Sequence, residues 1–377
     1  PLRPERSALP TALHPDAIKA DAKVQNNLNK NDVFEIFSSF SVKNLQIHRK
    51  TANFVSLILI LMKRKTLLIA AMMVAAICAA QQTIVVKAGD AKSFLDAIAK
   101  ANELNAKEDA PRTVILLPDG LYDLGETVLT TVTGHNISIV GQSTENTIIR
   151  NAPDVKIEGI SKTATLRNRG TNLYLQDLTL KNDLKYYESG AAGRAVCLQD
   201  KGTRTICNRV CMLSYQDTYY SDNEDMLSYM HETEIHGTID FICGAGDVYF
   251  DHCKIVTEPR TISGKGRCVI AAPRTSRTPW GYIFESCTIE NRLSNFTFAR
   301  GWHTTPHCVM LRTKLMSPEK LEKSRFDYRG MRTVNNDFHE YGTVDAQGNN
   351  ITPKSNVVIF TLKEETNPVE TIITQEQ

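Results

Sequence analysis

The sequence predicts an all-β chain wound as a right-handed, single-stranded parallel β-helix, with one short helix capping its N-terminal end. Three observations point there. Short strand-like triplets recur at near-coil intervals, turn residues separate them, and two acidic residues stand one coil apart. The triplets are Leu178-Thr179-Leu180, Cys211-Met212-Leu213, Thr233-Glu234-Ile235, Cys253-Lys254-Ile255 and Cys287-Thr288-Ile289. In each, the residues at i and i+2 share one face of a strand. Their last aliphatics are separated by 33, 22, 20 and 34 positions. Two of these intervals match a solenoid coil of roughly 20–25 residues, and the other two are a coil plus an inserted loop of about ten. Stacking such units buries one continuous core. A β-sandwich would not need near-equal coils.

The first 80 residues stand apart in composition. They hold 11 of the 44 Lys/Arg and 5 of the 42 Asp/Glu, so the remainder carries 33 against 37 and is mildly acidic. A net charge of +2 over 377 residues gives no nucleic-acid footprint. Met62-Lys63-Arg64-Lys65 is a basic start, Thr66 to Cys78 an apolar run, and Cys78-Ala79-Ala80 a small-residue end. Residues 62–80 therefore read as a secretory signal peptide, and the run is short for a membrane anchor. Residues 1–61 read as an upstream segment outside the mature protein. The β-helix domain is assigned to 81–377, in a secreted or periplasmic setting. A monomer, free of the membrane after signal cleavage, is expected.

Within that domain, Phe94, Leu95, Ile98 and Ala101 follow helical spacing, with Asp90 and Ser93 as capping candidates. Short strands follow: Val114 to Leu117, closed by the turn Pro118-Asp119-Gly120, then Ile137 to Gly141 and Thr147 to Ile149. Val357 to Phe360 reads as a last strand in the tail. Eight cysteines lie beyond the signal. Cys211, Cys253 and Cys287 fall at one repeat position, which predicts an inward stack of buried thiols rather than disulfides. Cys207 and Cys211 are four apart, but no second pair or His cluster follows them in the chain. No zinc site, and no metal or cofactor at all, is expected from that spacing.

Asp217 and Asp240 are 23 positions apart. One coil apart on a β-helix, they sit side by side on the same outer face. They belong to Gln216-Asp217-Thr218-Tyr219-Tyr220 and to Gly237-Thr238-Ile239-Asp240-Phe241-Ile242-Cys243-Gly244. These segments resemble the signatures of pectin methylesterases of bacterial type, written Gln-Asp-Thr-Leu and Gly-Thr-Val-Asp-Phe-Ile-Phe-Gly. Phe298-Ala299-Arg300-Gly301-Trp302 is similar to a third, Leu-Gly-Arg-Pro-Trp. The resemblance runs from about Thr83 to Gly342 and implies the same pectin lyase-like β-helix. It implies hydrolysis of methyl esters on pectin (homogalacturonan), with methanol released. Asp240 would be the nucleophile, Arg300 the cation on its carboxylate, Asp217 the general acid and then base, and Gln216 a donor to the oxyanion. Trp302, Tyr220, Arg194 and Thr305 would form the substrate-binding set.

The chain departs from the family in two places. Arg194-Ala195-Val196-Cys197-Leu198 stands where the family has Gln-Ala-Val-Ala-Leu, so a guanidinium replaces an amide donor 22 positions before Gln216. Cys243 replaces an aromatic three residues after the nucleophile. Arg194 either donates to the oxyanion or pairs with Asp217 and lowers its pKa. Alternative functions follow: a weakened or non-catalytic carbohydrate-binding relative on account of Arg194, a Ca²⁺-dependent lyase using the cluster Asp222, Glu224 and Asp225, or an esterase for another acyl group.

Overall fold

The computed structural model describes residues 82–353, apart from 158, 190–192, 275–279, 305 and 334–336. The expected upstream segment and signal peptide, Thr305 and the strand expected at Val357 to Phe360 lie outside the described residues. The described chain forms three parallel sheets, one of ten strands and two of eight. Within the coils each strand pairs with the one three elements later, so each coil contributes one strand to each sheet. That is the right-handed parallel β-helix the spacing called for.

The corners explain how so short a coil closes. Between the ten-stranded sheet and the sheet that follows it, one non-glycine residue turns the chain at positive φ in each of six successive coils. These residues are Asp177 (50°), Arg209 (52°), Glu232 (47°), His252 (53°), Ser286 (52°) and Arg312 (49°). Each corner amide donates to a carbonyl one coil on, as from Arg209 to His231 (2.9 Å) and from His252 to Glu285 (3.0 Å). The left-handed residue is thus locked by the coil above it, which offsets its steric cost. Successive corners are 32, 23, 20, 34 and 26 residues apart. The long coils carry the inserted loops, including the 3₁₀ turn Tyr186–Glu188.

The helix Ala91–Leu104 covers the N-terminal end. Asp90 caps it by accepting from the Ser93 amide at 3.0 Å, and Phe94, Ala97, Ile98 and Ala101 are buried. Phe94 packs against Tyr122. Inside the coils, Phe250 stacks on Phe284 at 4.4 Å and meets Tyr219 and Tyr282 edge-on. The expected strands appear at Thr113–Leu117, Ile137–Gly141 and Thr147–Asn151. A further coil, with strands Asp327–Thr333 and Asp337–Tyr341, continues past the point where the repeat becomes faint in sequence.

One expectation is corrected. Cys253 and Cys287 are buried neighbours in the core, but Cys211 is not in their stack. Met212, not Leu213, is the partner of Leu180 and Ile235 across the sheet. Cys211 therefore pairs with Thr179 and Glu234 and faces outward, half-buried. Cys-Met-Leu is apolar at all three positions, so periodicity alone does not fix which side turns in, and a one-residue slip reverses every side chain. All eight described cysteines are free thiols.

Candidate active site

The site is assembled on the outer face of one eight-stranded sheet. Tyr219–Ser221 runs parallel to Ile239–Gly244, with Tyr219 opposite Ile242. Carried back two residues, that register sets Asp217 beside Asp240 on adjacent coils, about 4.8 Å apart along the helix axis. Both aspartates adopt positive φ, 61° and 52°. Both are only 5% exposed.

Their surroundings differ. Arg300 grips Asp240 with a two-pronged fork, Nε donating to Oδ1 at 2.7 Å and Nη2 to Oδ2. Burial lifts the Asp240 carboxyl above its ordinary value, while the Arg300 fork opposes the lift and favours the ion. Asp217 has no such clamp. Burial, and then the charge of Asp240, hold its carboxyl well above the usual range, and Arg194 pulls only partly against them. Arg194 Nε stands 3.9 Å from Asp217 Oδ2 with its side chain 38% exposed. The Cys243 thiol donates to Asp217 Oδ1 at 3.8 Å. Both acids are thus lifted, Asp217 much further than Asp240, so the pair is unequal in proton affinity.

Arg194 bridges Gln216 across the coil, the Ala195 amide donating to the Gln216 carbonyl at 2.9 Å. The guanidinium therefore occupies the coil just before Asp217, as its position in the sequence implied. Gln216 is half-buried. Trp302 is half-buried too, its ring 6.2 Å from that of Tyr220, with Arg274 5.2 Å over its face. Tyr220 is not an open platform. It is buried in an outer apolar cluster with Val196, Cys243 and Ala272, and its hydroxyl donates to Asp222 at 2.7 Å. Asp222 also accepts from Gln199 (2.9 Å) and Lys201 (2.6 Å), so that acid is already neutralised by donors and is ill suited to calcium.

The structure adds residues that no motif announced. Arg260 lies close enough for its charge to lower the pKa of Asp240, and its guanidinium bonds the Tyr186 hydroxyl. Thr238, two residues before Asp240, donates to the same hydroxyl at 3.0 Å. Tyr186 stacks on Tyr215 at 4.9 Å with planes 4° apart. Tyr186, Tyr187, Arg260, Thr261, Ile262 and Ser263 line an adjoining cavity of about 540 Å³. These residues come from the two inserted loops, where repeat spacing gives no alignment.

A model of the family described as Pectinesterase matches residues 83–323. Among curated proteins, the probable pectinesterase 30 of Arabidopsis thaliana is 29% identical over 210 residues, covering 55% of this chain and 40% of that protein. Pectinesterase 3 of Solanum lycopersicum is 30% identical over 168 residues, covering 45% and 29%. The chain thus spans no more than 40% of the length of either relative. Among solved structures, the pectin methylesterase PemA from Erwinia chrysanthemi aligns with a TM-score of 0.59 at 20% identity, over 77% of this chain and 96% of that one. The pectin methylesterase from carrot aligns at 0.57 and 20%, over 67% and 78%. At such identity these two similarities carry the fold.

Proposed function

Because the chain belongs to the pectinesterase family, we propose that it hydrolyses the methyl esters of pectin, with Asp240 as nucleophile and Asp217 as general acid and then base. The observation that supports this most is the unequal pair: neighbouring carboxyls, one clamped by Arg300 and the other lifted well above the usual carboxylate range by burial and by its neighbour. An Asp240 oxygen attacks the ester carbonyl carbon. The Gln216 amide, helped by the Arg194 guanidinium, donates to the oxyanion, and one such donor can contribute about 3 kcal/mol. As the intermediate collapses, Asp217 gives its proton to the departing methoxide and methanol leaves. The Asp217 carboxylate then takes a proton from water, whose oxygen attacks the acyl carbon of the mixed anhydride. The free galacturonate leaves and Asp240 is restored. Trp302 offers an apolar face to a sugar ring. Export by residues 62–80 and a monomeric state belong to the same reading.

The test is methanol release from methyl-esterified homogalacturonan. Wild type should release methanol with or without chelator, and Asp240→Asn should lose at least ~10³-fold in kcat, as when a nucleophile is removed elsewhere. No methanol from wild type would leave a carbohydrate-binding protein. Unsaturated, chelator-sensitive products would identify a lyase.

A further inference from the structure

The outward turn of Cys211 has a chemical consequence. Cys211 faces Glu234 directly across the sheet, and His236 follows two residues on along the same face. The Cys211 sulfur, a Glu234 oxygen and a His236 ring nitrogen all lie within 4.8 Å of one another. Among the described residues this is the one such group of metal-ligating side chains. We propose that Cys211, Glu234 and His236 form a zinc-binding site on the outer wall of the β-helix, separate from the aspartate pair.

The ring orientation supports it. His236 Nδ1 hydrogen-bonds Glu258 Oε1 at 2.7 Å, and its Nε2 points at Glu234 Oε1, also at 2.7 Å. A carboxylate holding one ring nitrogen so that the other faces a ligand set is the usual outer support of a metal-bound histidine. One thiolate, one imidazole and one carboxylate suit a borderline-soft ion that takes four ligands in a tetrahedron, the fourth being water. With bonds of about 2.0–2.3 Å, the donors would stand roughly 3.3–3.8 Å apart, so side-chain rotations of about 1 Å close the site.

Three costs oppose binding. His236 bonds a carboxylate through each ring nitrogen, so the Nε2 proton shared with Glu234 must leave before that nitrogen can ligate. Burial pushes the Cys211 thiol up to about 12. Zinc displaces that proton to solvent as the zinc–sulfur bond forms, with no change of oxidation state. Lys254 already bonds Glu234 at 3.2 Å, but it also reaches Glu290 at 3.3 Å and is 40% exposed, so it can release Glu234 and keep Glu290. The site was hidden in the sequence because its ligands are 23 and 2 positions apart on two strands, not in one short motif.

Cobalt(II) titration of the purified full chain tests this. One equivalent should give a thiolate-to-cobalt charge-transfer band and tetrahedral d–d bands, both lost when zinc is added. Cys211→Ser should remove the charge-transfer band, and Cys207→Ser should leave it. His236→Gln should weaken binding at least tenfold, and Glu258→Gln about tenfold, in line with outer-shell losses elsewhere. No band in wild type, or a band that survives Cys211→Ser, overturns the proposal. Should Cys211→Ser fail to fold, X-ray absorption of zinc-loaded wild type decides the matter: one sulfur neighbour upholds the site, and a shell of nitrogen and oxygen alone refutes it.

Discussion

Replacing Arg194 with Gln asks whether a cation has been placed to tune the general acid. Arg194 Nε lies 3.9 Å from Asp217 Oδ2. At an effective dielectric of ~20 that distance corresponds to about 4 kcal/mol. Arg194 is 38% exposed, however, and water screens it, so the range measured for exposed pairs, ~0.2–1 kcal/mol, is the better expectation. At 1.36 kcal/mol per pH unit that is a shift of roughly 0.15–0.7. In the proposed role of general acid Asp217 must be protonated, so activity should fall as pH rises through its pKa. Arg194 lowers that pKa, and its removal should move the alkaline limb of the kcat/KM profile to higher pH by that amount. The acidic limb, set by the Arg300-clamped Asp240, should move in the same direction and less, because Arg194 is the weakest of the influences lowering that acid. Both inflections report the coupled pair rather than either residue. The assay is methanol release across pH at low ionic strength, repeated near 1 M salt, where a Debye length of about 3 Å should shrink the difference. Limbs that coincide in wild type and Arg194→Gln would refute the tuning role and leave Arg194 to the oxyanion alone.

Two further outcomes follow from the same physics. The raised pKa of buried Asp217 means that its charged form is disfavoured in the fold, so the stability cost is fully present above the folded pKa and vanishes below the ordinary carboxylate value of about 4. Asp217→Asn should therefore raise Tm by a few degrees at alkaline pH and by nothing near pH 3, and a uniform shift across pH would count against that account. Phe250→Ala removes a ring stacked on Phe284 and met edge-on by two tyrosines, and should cost about 3–5 kcal/mol, seen as a lower denaturation midpoint in urea. A cost under 1 kcal/mol would mean that the coils collapse around the gap.

Much of this architecture could be read before any coordinates. Ile235, Ile255 and Ile289 each end a triplet whose middle residue is charged or polar, and the structure pairs them in register. Where the middle residue was Met212, that contrast was missing and the register slipped by one. The aspartates were legible because one coil separates them, and Arg300 because its motif survives. Tyr220 was legible in position only, since its hydroxyl is taken up by Asp222. Arg260 and Tyr186 had no signal, because loops of irregular length set their place.

Asp217 and Asp240 are both held at φ of about 60° and 50°, a region that side chains with a Cβ seldom visit. Asparagine tolerates that geometry and alanine does not, at a penalty of roughly 1–2 kcal/mol. Truncating either aspartate to a methyl group would therefore disturb the ribbon's path as well as erase a charge, and the rate lost would mix the two effects. Amide replacements hold the main chain still, so only they report what ionisation itself contributes to turnover.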